Sequence, residues 1–163
     1  MVSGLGAKSV LDVGCGSGPL FEPLAERGIK VTGIDPAPAM VALARQKAAA
    51  YPDLVVVELR SWEEISEVDS YDTAVALGVF DYVDDPGDLL ARMGKAARGV
   101  VASFPAPGLR LELRKLRYGA HGVGVHGYTR DRLGTLAKDC GLGLEKVTPL
   151  GRAGWLVLFV RPS

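Results

Sequence analysis

The sequence predicts an α/β fold: a seven-stranded, mostly parallel sheet with helices on both faces and one antiparallel strand at the end of the chain. Three observations predict it. Short β-branched runs alternate with alanine- and leucine-rich stretches along the chain, the pattern of strand–helix–strand units packed into a parallel sheet. The first run passes directly into a glycine-rich turn, reading VLDVGCGSG from Val10 to Gly18. The last two runs are separated by only a few residues around Gly151 and Gly154. That connection is too short for a parallel crossover, so those two strands should pair antiparallel.

Element by element, strands are expected at 9–13, 30–34, 54–58, 71–77, 99–104, 142–148 and 155–160, where β-branched and apolar residues cluster. Helices fill the gaps at 18–27, 38–50, 86–97 and 130–140, with Thr129 as N-cap of the last and Gly141 as its stop. The 163 residues suit one domain, 1–163, large enough to bury a core without a metal or disulfide.

Composition narrows the function classes. Nineteen basic residues balance nineteen acidic ones, leaving no overall field to attract nucleic acid or an anionic membrane. Neither is expected as a partner. Cys15 and Cys140 lack metal-ligand spacing and read as free thiols in a reducing cytoplasm, with no metal. No signal peptide or membrane-spanning stretch is expected.

Two acids frame the glycine turn. Asp12 lies two residues before Gly14, and Asp35 ends the second apolar run, VTGID. A sheet holds a nucleoside cofactor across its carboxyl edge with this arrangement. The dinucleotide pattern G-x-G-x-x-G needs a third glycine where this chain has Pro19. The observed D-x-G-x-G-x-G resembles motif I of the class I S-adenosylmethionine-dependent methyltransferases, whose Rossmann-like fold also ends in an antiparallel strand pair. The resemblance covers nearly the whole chain. It implies S-adenosylmethionine as cofactor, with Asp12, Gly14, Cys15, Gly16 and Gly18 around its methionine moiety. Asp35 would accept both ribose hydroxyls; its other reading is a cap on the helix after Pro36. Pro36, Leu77 and Gly78 fall at the same edge. Met40 either touches the adenine or belongs to the core.

After the third strand the chain reads ELRSWEEI, where the resemblance implies an acid that reads the adenine amino group. Here Ser61 could accept that hydrogen bond and Trp62 could stack on the base. Alternatively, Ser61 caps a short helix with Glu63 and Glu64 in its first turn. The fourth strand runs into ALGVFDYVDDP, unlike the N/D-P-P-Y of enzymes that methylate adenine or glutamine. It resembles small-molecule O- and C-methyltransferases, with Asp81 and Tyr82 where a glutamate and a histidine usually stand. The base is therefore open among Asp81, Tyr82 and His126, with His121 and Tyr128 nearby in sequence. Arg110, Arg114 and Arg117 recur on one helical face; they are either a solvated face or an anion-reading flap, which would favour an anionic small-molecule acceptor.

Only eight residues precede the first strand, whereas the resemblance implies a helical cover there. The expectation is an open cofactor site, covered by a second copy or a partner chain. Two further readings remain: a non-catalytic subunit with this fold, and an NAD-dependent oxidoreductase.

Overall fold

The computed structural model describes residues 6–108, 126–151 and 153–162. Seven strands form one sheet: β1 (Ser9–Val13), β2 (Lys30–Asp35), β3 (Val55–Leu59), β4 (Tyr71–Ala76), β5 (Ala97–Pro105), β6 (Gly143–Pro149) and β7 (Gly154–Val160). Their spatial order is β3-β2-β1-β4-β5-β7-β6. Strands β1 to β5 are parallel to one another, while β7 runs antiparallel to both β5 and β6. The expected antiparallel pair is present. The reversed strand, last in the chain, is inserted between β5 and β6 and leaves β6 at the sheet edge.

Among the described residues four helices cover the sheet: α1 (Phe21–Ala25), α2 (Pro38–Ala48), α3 (Pro86–Ala96) and α4 (Arg130–Asp139). Two core clusters lie on opposite faces, as strand alternation requires. Val10, Cys15 and Val31 pack with Phe21, Leu24, Val41 and Ala44 of α1 and α2 on one face. Leu11, Val13 and Ile34 pack with Leu89, Leu90, Met93 and Leu133 of α3 and α4 on the other.

Local chemistry accounts for most element ends. Thr129 caps α4 through its side chain, which accepts from Arg132 N at 3.2 Å, and Gly141 at φ +68° ends the turn after it. Asp85 caps α3 by accepting from Asp88 N at 2.9 Å, with Pro86 at the first helical position. Helix α1 is much shorter than the expected 18–27. Pro19 and Pro23 remove two amide donors, and left-handed Gly18 and Gly28 bracket the segment. The Arg110, Arg114 and Arg117 face and His121 lie outside the described residues.

Chain order reverses direction across the sheet at β1 and β4: β2 and β3 lie on one side of β1, β4 and β5 on the other. A crevice therefore opens at the carboxyl ends of β1 and β4, where the loops that follow diverge.

Candidate active site at the carboxyl edge of the sheet

The glycine loop leaves β1 into this crevice with Gly14, Gly16 and Gly18 all left-handed, at φ +65°, +54° and +72°. Each glycine meets different surroundings. A Cβ on Gly14 would fall 2.6 Å from Val79 Cγ2, and one on Gly18 would fall 2.5 Å from the Phe21 ring. These two positions close the loop onto the β4 loop and onto α1. A Cβ on Gly16 would meet nothing within 4 Å, so this is where the backbone stands open to a ligand.

Asp35 holds the loop in place. Its Oδ2 accepts from Gly16 N at 2.9 Å, and its Oδ1 accepts from Ala37 N at 2.8 Å. The second bond supports the approach to α2, whose N-cap is Ala37. The capping alternative is thus met one step removed, by a turn that precedes the helix. A carboxylate offers about four lone-pair sites, so both oxygens retain capacity for ribose hydroxyls.

Asp12 is buried beneath the loop. Its Oδ2 has no hydrogen-bond partner among the described residues. Desolvation, with a smaller contribution from the neighbouring Asp35 charge, pushes its carboxyl up to about 7. A buried polar atom left without a partner is costly unless something supplies one. The open Gly16 backbone, this orphan oxygen and Asp35 fit the cationic methionine end and the ribose of S-adenosylmethionine. They lie around one crevice.

The remaining cofactor-edge residues are less uniform. The Cys15 thiol packs in the core, close to Gly33 and away from solvent, and burial pushes it up to about 12. A contact from its side chain is therefore replaced by its main-chain role: its amide donates to Ile34 O at 3.0 Å and its carbonyl accepts from Gly18 N at 2.9 Å. Met40 is 38% exposed and Pro36 is exposed, so Met40 is not a core residue. Arg60 N donates to Asp35 O at 3.1 Å and ties the segment after β3 to this edge. Ser61 caps the 3₁₀ turn Trp62–Glu64: its amide donates to Glu64 at 3.0 Å and its hydroxyl donates to Glu63. The helix-cap reading holds, and the Ser61 oxygen still has a lone pair for an adenine amino group. Trp62 is half-buried and packs against the core. Leu59, register partner of Asp35, is 54% exposed at the same edge; strand alternation would bury it with Val55 and Val57, so the sequence gives no signal for it.

Beyond β4, left-handed Gly78 (φ +77°) is held by its amide donating to Ser103 Oγ of β5 at 2.8 Å. Leu77 and Tyr82 are exposed, at 42% and 40%. Asp81 is buried at 7%, and its carbonyl accepts from His126 N at 3.0 Å. The His126 ring lies 3.2 Å from Asp84. Asp81 and His126 are thus brought together through the backbone. Tyr128 is different from expectation. It is wholly buried, its hydroxyl donates to Phe80 O at 3.2 Å, and desolvation pushes it up to about 12. It belongs to an aromatic cluster, with its ring 4.9 Å from Phe104, and serves as scaffold. Val79 and Ser103 escaped the sequence reading because their partners lie across the sheet. Among the described residues, no group of three or more His, Cys, Asp or Glu could hold a metal, and no helix is long and apolar enough to cross a membrane.

A family model described as "Methyltransferase domain" matches residues 11–99, more than half the chain. The ubiquinone biosynthesis O-methyltransferase of Azorhizobium caulinodans is 37% identical over 87 residues, covering 53% of this chain and 34% of that protein. The enzyme of the same description from Alkalilimnicola ehrlichii is 35% identical over 107 residues, covering 63% and 43%. Among solved structures, magnesium protoporphyrin IX methyltransferase from Synechocystis PCC 6803 with bound S-adenosylhomocysteine superposes with a TM-score of 0.78. It is 25% identical, and the match covers 94% of this chain and 73% of that one. The chain spans about a third of the length of the first of these curated relatives.

Proposed function

The chain belongs to the methyltransferase-domain family, and from that premise we propose that it transfers a methyl group from S-adenosylmethionine to an oxygen of a small-molecule acceptor. The observation that carries this reading is the open Gly16 backbone above the unpartnered Asp12 oxygen, with Asp35 bonded to the loop beside them. The relatives named O-methyltransferases support oxygen as the acceptor atom.

When bound, S-adenosylmethionine supplies a methyl group on a sulfonium, whose bonding pair stays with sulfur as the acceptor oxygen's lone pair takes the carbon. The chain's own contribution is positioning and proton removal. Gly14, Gly16 and Gly18 shape the cradle, Asp12 places negative charge under the cationic end, and Asp35 accepts the ribose hydroxyls. Pro36, Met40, Leu59, Ser61, Trp62, Leu77 and Gly78 complete the nucleoside edge. Transfer requires the acceptor oxygen within about 3–3.5 Å of the methyl carbon. A hydroxyl needs a base near neutral pH. Asp81 is assigned that role, with the His126 ring at Asp84 beside it in the same loop and Tyr82 at the exposed rim.

The domain is read as a single unit spanning 1–163, with a second copy or partner chain covering the site. The free thiols Cys15 and Cys140 support a reducing, cytoplasmic setting. Calorimetric titration with S-adenosylmethionine, S-adenosylhomocysteine and NAD tests the cofactor, with Asp35→Ala as control. Charge-assisted bonds of about 1.5–3 kcal/mol each predict at least a tenfold loss of S-adenosylmethionine affinity in the variant. Binding of NAD alone would refute the reading.

A further inference from the structure

The two edges of the sheet differ. At one edge, β6 carries a register shift between Leu144 and Lys146, exposed Glu145 and Lys146, and Pro149 at its end. Bulges, charges and proline keep an edge strand from pairing with another chain. At the other edge, β3 reads VVVEL with neither proline nor lysine, and its register with β2 runs unbroken to Leu59. Val55 and Val57 pack on the α2 side. Val56 therefore faces the opposite side, where it is 55% exposed.

Backbone bonds fix which groups of β3 look outward. Val31 N of β2 donates to Leu54 O at 2.7 Å, and Arg60 N donates to Asp35 O at 3.1 Å. Residues 54, 56, 58 and 60 thus turn their backbone groups toward β2, and residues 55, 57 and 59 turn theirs away. Two of the outward groups are already bonded. Val55 N donates to Tyr51 O at 2.9 Å, and Val57 O accepts from the Arg45 guanidinium of α2 at 3.3 Å. Val57 N and Val55 O have no partner among the described residues. An antiparallel copy centred on Val56 answers both, because each Val57 N then reaches the other copy's Val55 O. Centring on Val57 would ask the carbonyl that Arg45 holds to accept again. Centring on Glu58 would set two carboxylates directly opposite, which is unfavourable.

We propose that β3 is a self-pairing edge: two copies of the chain join antiparallel about a two-fold axis at Val56, and the sheet continues from one copy into the other. The two exposed Val56 side chains then face each other as a non-hydrogen-bonded pair, the closer of the two antiparallel arrangements. On the other face, the pairing sets α2 beside the second copy's α2 at about 10 Å, a spacing at which helices pack. Ala42 and Ala49 lie one turn before and one turn after Arg45 on the same flank of α2, and both are exposed. Their small side chains leave room for that approach. The pairing also brings the second copy's 51–54 turn alongside Leu59, the register partner of Asp35. The second copy therefore borders the nucleoside edge of the crevice. A two-fold contact uses the same patch on both copies, so the assembly closes as a dimer.

Sedimentation velocity over a dilution series tests the pairing, and disulfide trapping tests its register. The parent chain should sediment as a dimer that dissociates on dilution. Val56→Lys puts two like charges on the axis and should weaken the dimer at least tenfold. Val68→Lys, at a valine 65% exposed in the loop before β4, should leave it unchanged. Opposed residues of a non-hydrogen-bonded pair have Cα atoms about 4.5 Å apart, within the span of a disulfide. Val56→Cys should therefore cross-link two copies under mild oxidation, and Glu58→Cys should not. Circular dichroism reports that each variant is folded. A parent chain that stays monomeric across the series, a dimer indifferent to Val56→Lys, or cross-linking through Glu58→Cys in preference to Val56→Cys overturns the proposal. None of these outcomes touches the cofactor reading, which the calorimetric titration tests by itself.

Discussion

Replacing Asp12 by asparagine should stabilise the ligand-free protein at pH 8 while weakening the cofactor. The side chain is 3% exposed, and asparagine keeps its shape without its charge. The carboxyl's ordinary value of 3.8 rises to about 7 in the folded chain, by burial first and the Asp35 charge second. Between those values the folded protein binds a proton that the unfolded chain has lost, so stability falls as pH rises. Stability present below about pH 4 is lost by the time pH passes about 7. A shift of about three units corresponds to an upper bound on the order of 4 kcal/mol. Any water reaching the buried oxygen reduces it, so a gain of about 1–3 kcal/mol in the variant at pH 8 is expected, shrinking to near zero at pH 4. Urea denaturation across this pH range measures it. S-adenosylmethionine affinity should rise between pH 6 and 8 in the parent protein and stay flat in the variant, because a cation favours the ionised carboxylate. A variant no more stable than the parent at pH 8, with unchanged pH dependence, would refute the reasoning that a lone buried carboxylate sits beneath the loop.

Substitutions in the glycine loop should separate binding from folding. Gly16→Ala meets no neighbour and should cost only about 1–2 kcal/mol of left-handed strain, yet lose S-adenosylmethionine affinity at least tenfold by calorimetry. Gly18→Ala drives a methyl into the Phe21 ring and should lower the melting temperature by several degrees more than Gly16→Ala does. Tyr128→Phe removes one buried hydrogen bond to Phe80 O, so it should lose about 1 kcal/mol of stability and leave the pH profile of methyl transfer unmoved; a shifted profile would return Tyr128 to the list of proton acceptors. Gly154→Ala places a methyl against Phe104 O and should destabilise the β5–β7 pairing, visible as faster hydrogen exchange along both strands.

Much of this protein is legible along the chain because it is decided along the chain. Backbone sterics and local periodicity place β1 at Ser9–Val13, the left-handed turns at Gly14, Gly16 and Gly18, and the Thr129 cap within a few residues of their causes. The short α1 was legible in part too, since Pro19 and Pro23 stand inside the expected helix. Other features depend on which strands become neighbours, and that is settled by packing two apolar faces at once. Insertion of β7 between β5 and β6, the Gly78–Ser103 bond and the burial of Tyr128 all arise this way. So do the loss of the Cys15 thiol to the core and the bond from the Gly16 amide to Asp35 Oδ2. The sequence by itself determined the glycine turn with Asp12 beside it, because their spacing is local, and marked Asp35 as the end of the second apolar run. Only the tertiary structure decided the cavity at Gly78, Ser103, Leu150 and Gly154, because those residues meet only through sheet pairing and share no spacing a linear reading can detect.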